Sequence, residues 1–197
     1  MSEDYYILYE SQFRYGYYDK IKNMKVTIHT DGSSRGNPGP GGWGAILVIE
    51  GKSDGDEVIE LGGSEDHTTN NRMEIMGAIM ALREIGKGVG SVEVCTDSQY
   101  VKKGMSEWID GWIKRGWKGS TKQPVLNQDL WELLKKEEDR LIALGTSMKW
   151  TYVKGHAGVP LNERADTIAT ACADSVIDKG ATNLQLYRGS KVDYNYF

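Results

Sequence analysis

The sequence predicts an α/β fold in which five strands form one mixed sheet with helices on both faces. Two β-branched segments end in the same Thr-Asp pair, and three strands in a meander precede a region where helices and strands alternate. A meander favours antiparallel pairing, whereas strands joined through helices favour parallel pairing. Together these observations indicate a mixed sheet covered by helices.

The first three predicted strands are separated by turn-forming segments. Residues 25–30 form the first strand, and the Gly- and Pro-rich segment 36–42 leads into a second strand at 43–49. A turn at 52–55 then closes a hairpin onto a third strand at 57–61. These connections are short enough to keep the three strands adjacent in the sheet.

Helices and strands alternate in the rest of the chain. Apolar residues recur at helical spacing from 73 to 86, and the second Thr-Asp strand follows. Short helices are predicted through a tryptophan-rich segment, followed by a longer helix at 128–144 and a last strand at 148–153. A final helix at 160–176 begins with proline, which is favoured in the first turn.

Length and composition predict one globular domain with extensions. The chain has 197 residues, 39% of them hydrophobic, and we assign 25–177 to the domain, 1–24 to a tyrosine-rich extension and 178–197 to a polar tail. No apolar segment has the length of a membrane span and the first residues are acidic, so a soluble cytoplasmic protein is expected. Cys95 and Cys172 are expected to be buried thiols rather than zinc ligands.

An aspartate ends each of the two repeated strands. If the strands lie parallel and adjacent, Asp31 and Asp97 emerge at the same edge of the sheet, where open α/β sheets bind ligands. Carboxylates this close share a proton or require a cation, and Mg²⁺ prefers such oxygen ligands. Each aspartate also fits a purely structural role, Asp31 in a glycine turn and Asp97 as the cap of the next helix.

Two helices and a loop contribute further candidates. Glu74 lies one turn into a helix. It also fits a structural role as the acid of a capping pair, three residues after Asn71 at the N-cap. Asp166 lies inside the last helix and has the alternative of an exposed helical acid near Arg164. His156 follows the last strand between two glycines; a lone loop histidine is usually incidental, but this position suits proton transfer near neutral pH.

The segment 102–122 is basic and rich in tryptophan, although the chain has a net charge of −4. Cationic side chains can bind phosphates while aromatic rings stack on sugars and bases. The alternative is an amphipathic helix with core tryptophans, which we favour for Trp108. A glycine-interrupted segment is not expected to bury three indoles at once. We therefore expect nucleic-acid contacts from Trp112, Lys114, Arg115, Trp117 and Lys118.

Five motifs, in this order, resemble ribonuclease H of type 1. They are Thr30–Ser33 with Gly36–Gly39, Thr69–Glu74, Thr96–Val101, Val153–Gly158 and Asn162–Asp166. Each motif alone is a weak signal, but five in register from about residue 25 to about residue 173 are highly specific. The resemblance implies the RNase H-like fold, with Asp31, Glu74, Asp97 and Asp166 as metal-binding carboxylates and His156 as the family's mobile histidine.

The resemblance also implies contacts with an RNA–DNA hybrid duplex. Residues 108–118 look like the basic protrusion of bacterial members, which holds the DNA strand. Further substrate contacts implied in this way are Asn37, Thr69, Asn70, Gln99 and Asn162. Of these, Asn70 and Gln99 match groups that read 2′-hydroxyls, a task that suits amides because they both donate and accept. His67 replaces an arginine found in some relatives, so a weaker or pH-dependent grip on the DNA strand is expected.

The implied activity is endonucleolytic hydrolysis of the RNA strand of RNA–DNA hybrids with two Mg²⁺ ions, leaving 5′-phosphate and 3′-hydroxyl ends. We expect Asp31 to bridge both ions, Glu74 and Asp97 to favour one and Asp166 the other. Mg²⁺ prefers oxygen ligands, so His156 is assigned to proton transfer. Mn²⁺ is considered as a substitute for Mg²⁺. A monomer that binds no membrane is expected.

Three other classes of protein share part of this pattern. A haloacid-type phosphatase also places an aspartate at a strand end, but it needs a second aspartate where Ser33 stands. An integrase or junction resolvase shares the acidic edge but is not expected to carry Asn70, Gln99 and the tryptophan-rich segment. A non-catalytic hybrid-binding module is expected to have lost an acid or His156.

Overall fold

In the part of the chain that the structure describes, six strands form a single sheet in the order β5-β4-β1-β2-β3-β6. The computed structural model describes residues 24–51, 55–179, 183–191 and 194. The strands are β1 Met24–Ser34, β2 Gly39–Glu50, β3 Glu57–Thr68, β4 Val89–Thr96, β5 Ser147–Tyr152 and β6 Asn183–Ser190. The predicted mixed sheet is confirmed, but the prediction of five strands is one too few. The additional strand lies in the segment assigned to the polar tail and pairs with β3.

Among the described residues, five α-helices and one π-helical turn connect or follow these strands. They are α1 Asn70–Arg83, α2 Gln99–Lys103, a π-helical turn Gly104–Trp108, α3 Ile109–Lys114, α4 Gln128–Ala143 and α5 Pro160–Lys179. Within the described residues, none of these helices combines the length and the hydropathy that a membrane crossing requires. The N-terminal extension, apart from Met24 at the start of β1, lies outside the described residues.

The strand directions place two aspartates side by side. β1 pairs antiparallel with β2, whereas β1 and β4 are parallel and their pairing ends with Thr30 opposite Thr96. Asp31 directly follows Thr30, and Asp97 directly follows Thr96. Because parallel strands end at the same edge, the register brings both carboxylates to one edge of the sheet, as the sequence predicted.

Helices cover both faces of the sheet. Side chains alternate between faces along a strand, and β2 shows this directly. Ala45 and Leu47 belong to the large core cluster that includes α1 and α4, whereas Ile46 and Val48 pack in a second cluster with α5. The acidic edge is therefore approached by α1 from one face and by α5 from the other.

Glycines let both helices approach the sheet closely beside Asp31. A Cβ on Gly32 would lie 2.3 Å from the Glu74 backbone nitrogen, and a Cβ on Gly44, which pairs with Asp31, would lie 2.3 Å from the Ala165 carbonyl oxygen. Neither distance leaves room for a side chain, so the helix backbones rest directly on the sheet. This packing brings Glu74 and the residue after Ala165 to the strand ends.

Candidate active site

Three carboxylates from three different elements converge at the acidic edge. Asp31 on β1, Glu74 on α1 and Asp97 after β4 each contribute an oxygen, and these oxygens lie within 4.8 Å of one another. Asp31 is 8% exposed and Glu74 is 5% exposed, while Asp97 is half-buried. Such a group of oxygen atoms is suited to bind a divalent cation.

The structural alternatives for these three residues do not hold. Ser98, not Asp97, caps α2 by accepting a hydrogen bond from the Val101 backbone nitrogen. Thr69, not Asn71, caps α1, so Glu74 lies beyond the capping position. Asp31 lies within β1 rather than in a turn, and its Oδ1 accepts a 2.7 Å hydrogen bond from the Gly32 backbone.

The carboxylates share a strongly unfavourable electrostatic environment in the absence of a cation. Burial, followed by the charges of Asp97 and Asp166, raises the pKa of Asp31 from 3.8 to about 7. Burial and the charges of Asp31 and Asp97 raise the pKa of Glu74 well above its ordinary value. The buried Glu74 Oε2 has no hydrogen-bond partner among the described residues. A cation would therefore supply the interaction that these acids lack.

Asp166 approaches the same edge from the opposite face. It follows Ala165, the residue that rests on Gly44, and its charge raises the pKa of Asp31. It is half-buried and stands outside the group of three close oxygens. The sequence also allowed Asp166 to be an exposed helical acid near Arg164. Arg164 instead binds Glu60 through two hydrogen bonds. The geometry therefore brings Asp166 near the acids without adding it to their closest cluster.

The loop between β5 and α5 carries His156 past Asp97. His156 is exposed and has a φ of +50°, a left-handed conformation that is uncommon outside glycine. The preceding Gly155 lies against Asp97, because a Cβ there would be 2.6 Å from Asp97 Oδ2. This close approach places the loop at the acidic edge and leaves the imidazole accessible to solvent.

Asn162 is buried, and its side chain contacts a carboxylate of the acidic edge. Its side-chain Nδ2 donates a 3.2 Å hydrogen bond to Asp97 Oδ2, and the residue is only 2% exposed. Its Oδ1 has no partner within the described part of the chain. The resemblance implied that Asn162 contacts the substrate. Its contact with Asp97 could not be predicted, because the two residues are 65 positions apart and no local pattern connects them.

Three of the other predicted substrate contacts lie within five residues of an acid in sequence, and a fourth lies in a turn. Thr69 caps α1 and Asn70 is its first residue, with Asn70 Nδ2 3.4 Å from Glu74 Oε1. Gln99 is exposed at the first residue of α2, two positions after Asp97. Asn37 is exposed in the turn between β1 and β2. His67, near the end of β3, is also exposed.

The tryptophans of the basic segment pack against one another and against α4. The ring centroids of Trp108 and Trp112 are 5.6 Å apart, and those of Trp112 and Trp131 are 5.3 Å apart. Trp108, Trp112 and Trp117 are all half-buried. None of the three indoles is fully buried, which agrees with the expectation for a glycine-interrupted segment, although Trp131 on α4 supplies a packing surface from outside the segment.

This segment carries exposed cationic side chains, and one of them, Arg115, lines an open groove. Lys114, Arg115 and Lys118 are exposed, and Arg115 Nε donates a 3.0 Å hydrogen bond to the Lys118 carbonyl oxygen. The groove has a volume of about 420 Å³ and is lined by Glu107, Trp108, Gly111, Trp112, Arg115, Gly119 and Ser120. Indole surfaces beside exposed cations provide a chemistry suited to a sugar-phosphate backbone.

Comparisons with known proteins agree with this fold. A family model described as RNase H matches residues 23–174. Ribonuclease HI of Caulobacter vibrioides is 54% identical over 145 residues, which are 74% of this chain and 90% of that protein. The crystal structure of LC9-RNase H1, a type 1 RNase H with the type 2 active-site motif, has a TM-score of 0.68 at 31% identity, covering 85% of this chain and 80% of that one. LC11-RNase H1 in complex with an RNA/DNA hybrid has a TM-score of 0.56 at 25% identity, covering 78% and 99%.

Proposed function

The chain belongs to the ribonuclease H family, and on this basis we propose that it cleaves the RNA strand of RNA–DNA hybrids by a two-metal-ion mechanism that leaves 5′-phosphate and 3′-hydroxyl ends. The family makes the chain an endoribonuclease that acts on hybrids. The observation that carries the proposed mechanism is the convergence of the Asp31, Glu74 and Asp97 oxygens within 4.8 Å.

The donor set of the site fits Mg²⁺. All three converging side chains offer carboxylate oxygens, the ligands that this hard cation prefers, and the unpartnered Glu74 Oε2 is buried beside them. Asp31, Glu74, Asp97 and Asp166 would hold the ions. When bound, the two ions would activate the attacking water and stabilise the leaving 3′ oxygen. The charges of Asp97 and Asp166 both raise the pKa of Asp31, which supports the proposal that the Asp31 carboxylate would contact both ions.

Other residues of the chain would orient the acids and move protons. Asn162 holds Asp97 by a hydrogen bond, and Gly155 allows the following loop to pass directly against the same carboxylate. His156 on that loop is exposed, so it can exchange a proton between the acidic edge and solvent. These positions support a proton-transfer role for His156.

The substrate would extend from the acidic edge to the basic segment. Asn70 and Gln99 lie beside the acids, where their amides can pair with the 2′-hydroxyls that identify an RNA strand. Lys114, Arg115 and Lys118 can bind the phosphates of the DNA strand, with the indoles of Trp112 and Trp117 between them. LC11-RNase H1, a similar structure bound to an RNA/DNA hybrid, supports this assignment of the substrate.

A comparison of nucleic-acid substrates tests the proposal. Labelled RNA–DNA hybrid, double-stranded DNA and single-stranded RNA are incubated with the protein in Mg²⁺ or in EDTA. We expect cleavage of the hybrid alone, only with Mg²⁺, to products that a 5′-phosphate-dependent exonuclease degrades. Cleavage of all three substrates alike, or cleavage in EDTA, would contradict the proposal.

Asp31→Asn provides the matched control for this experiment. The amide keeps the shape of the side chain but removes the charge that a cation requires, so we expect loss of turnover with hybrid binding retained. Binding without cleavage by the unaltered protein would instead favour a non-catalytic hybrid-binding module. A monomeric state, a cytoplasmic location and the use of Mn²⁺ stay predictions.

A further inference from the structure

The C-terminal segment inserts a tyrosine beneath α5. Tyr194 is 8% exposed and packs in the second core cluster with residues of β2, β3 and α5. The α5 residues of this cluster are Leu161, Ala165 and Ile168, which lie on one face of the helix. Tyr194 lies well beyond residue 174, where the match to the family model ends.

The hydroxyl of Tyr194 joins a buried ion pair. It donates a hydrogen bond to Glu60 Oε1 on β3. Arg164 on α5 donates to the same carboxylate through Nε at 2.6 Å from Oε1 and through Nη2 at 2.8 Å from Oε2. Burial tends to raise the pKa of Glu60, but the hydrogen bonds from Arg164 and Tyr194 outweigh it and lower the pKa. Glu60 is therefore a charged group that holds α5 and the C-terminal segment together.

This ion pair fixes the turn of α5 that carries a candidate metal ligand. Arg164 and Asp166 stand on either side of Ala165, whose backbone rests on Gly44 beside Asp31. A bidentate pair between arginine and a carboxylate restrains orientation as well as distance. A rotation or shift of this turn would move Asp166 relative to Asp31.

We propose that Tyr194 is a positioning residue for Asp166, which it fixes through Glu60, Arg164 and the backbone of α5. The inference rests on the proposed function only for the role of Asp166 as a metal ligand. The contacts that support it are the hydrogen bonds of Glu60 with Tyr194 and with Arg164. The C-terminal segment thus contributes to the geometry of the metal site without touching it.

Anchors elsewhere on the segment supply a matched control. The Lys191 backbone nitrogen donates a 2.9 Å hydrogen bond to the Asp56 carbonyl oxygen, and Lys191 Nζ forms a 2.8 Å ion pair with Glu50. These contacts attach the same segment to the β2–β3 side of the sheet. Lys191→Ala therefore removes a side-chain ion pair but keeps the backbone contacts of residue 191 and the Tyr194 hydroxyl, whereas Tyr194→Phe keeps the aromatic ring and removes only the hydroxyl that reaches Glu60.

The test measures Mn²⁺ binding directly, using the electron paramagnetic resonance signal of free Mn²⁺ in titrations of the full chain. We expect Tyr194→Phe to weaken Mn²⁺ binding about threefold or more, which is less than the roughly tenfold or greater loss when a direct partner of a metal ligand is removed. Glu60→Gln should have a larger effect, because Arg164 then loses its charged partner. Lys191→Ala should leave Mn²⁺ affinity unchanged, and the KM for hybrid should stay unchanged in Tyr194→Phe.

Each contrary result identifies which idea fails. Unaltered Mn²⁺ affinity in Tyr194→Phe, or equal loss in Lys191→Ala, would overturn the positioning role, as would a wild-type chain that binds no Mn²⁺. A wild-type chain that binds Mn²⁺ but does not cleave hybrid would overturn the proposed function and leave the binding test of Tyr194 intact. A fall in melting temperature without a change in Mn²⁺ affinity would show that Tyr194 is only structural.

Discussion

The side-chain amide of Asn162 lies 3.2 Å from Asp97 Oδ2, so a residue of α5 orients a carboxylate that follows β4. This contact joins the helix on one face of the sheet to the end of a strand. Asn162 is almost fully buried, which prevents water from replacing the interaction easily. The orientation of Asp97 therefore depends on the position of α5.

Replacing this amide should weaken metal binding. We expect Asn162→Ala to raise the Mg²⁺ concentration at half-maximal rate by about tenfold, because Asp97 loses the group that orients it. The measurement is the rate of hybrid cleavage as a function of Mg²⁺. Thr167→Ala, an exposed change on the same helix, is the control. A raised KM for hybrid with unchanged Mg²⁺ dependence would instead favour the direct substrate contact that the sequence suggested.

The metal-free protein should become more stable when Asp31 loses its charge. The pKa of Asp31 is raised from 3.8 to about 7, so between these pH values the folded chain retains a proton that the unfolded chain releases. The contribution of Asp31 to stability is therefore lost as the pH rises through this window. We expect Asp31→Asn to stabilise the EDTA-treated protein by about 2–4 kcal/mol at pH 7.

Urea unfolding in EDTA at pH 4.5, 6 and 7 checks this sign. The stability difference between Asp31→Asn and the unaltered protein should grow with pH and level off above about pH 7. Using the difference between two proteins cancels the titration of the groups that they share. A difference that shrinks as the pH rises would contradict the raised pKa of Asp31.

A buried histidine should make the protein sensitive to acid. Burial lowers the pKa of His29 to about 4, opposed in part by Glu93, so the unfolded chain takes up a proton first as the pH falls. Stability is lost between about pH 6.5 and about pH 4. We expect His29→Leu to reduce this loss by up to about 3 kcal/mol, measured by urea unfolding at pH 7.5 and pH 4.5. An equal loss in both proteins would exclude His29 as the cause.

The basic segment should contribute to binding more than to turnover. We expect Lys118→Ala to raise the KM for hybrid more than it lowers kcat, since a phosphate contact acts equally on the ground and transition states. It should also reduce the slope of log affinity against log salt by about one. Lys136→Ala, an exposed change on α4, is the control. A loss confined to kcat would contradict this role.

Trp112 is a less suitable probe of the same surface. Its ring packs 5.3 Å from that of the fully buried Trp131 and contacts the main core. Removing it would create a cavity and destabilise the domain as well as alter the groove. The exposed lysines separate binding from folding more cleanly.

The acidic edge could be predicted because its information is local. Asp31 and Asp97 each follow a recognisable strand, and parallel pairing alone brings them together. The ion pair of Glu60 with Arg164 could not be predicted, since its partners are 104 residues apart and each fits an ordinary surface position in its own element. The packing of Trp112 against Trp131 had no local signal for the same reason, since Trp131 lies on another helix.

The sequence signal for β6 is short. Leu184 and Leu186 alternate with Asn183 and Gln185, but this alternation is too brief to identify a strand by itself. Its pairing depends on the edge of β3, whose unpaired N–H and C=O groups offer a template for another strand. The tertiary context therefore decided the structure of this segment.

The parallel register of β1 and β4 has a consequence for the dimensions of the metal site. Hydrogen-bonded strands lie about 4.8 Å apart, whatever side chains they carry. Two oxygens on opposite sides of a bound Mg²⁺ are about 4 Å apart. The spacing between the two strands is thus close to the separation of oxygens around a coordinated Mg²⁺, so Asp31 and Asp97 would need only a small inclination towards each other to hold such an ion.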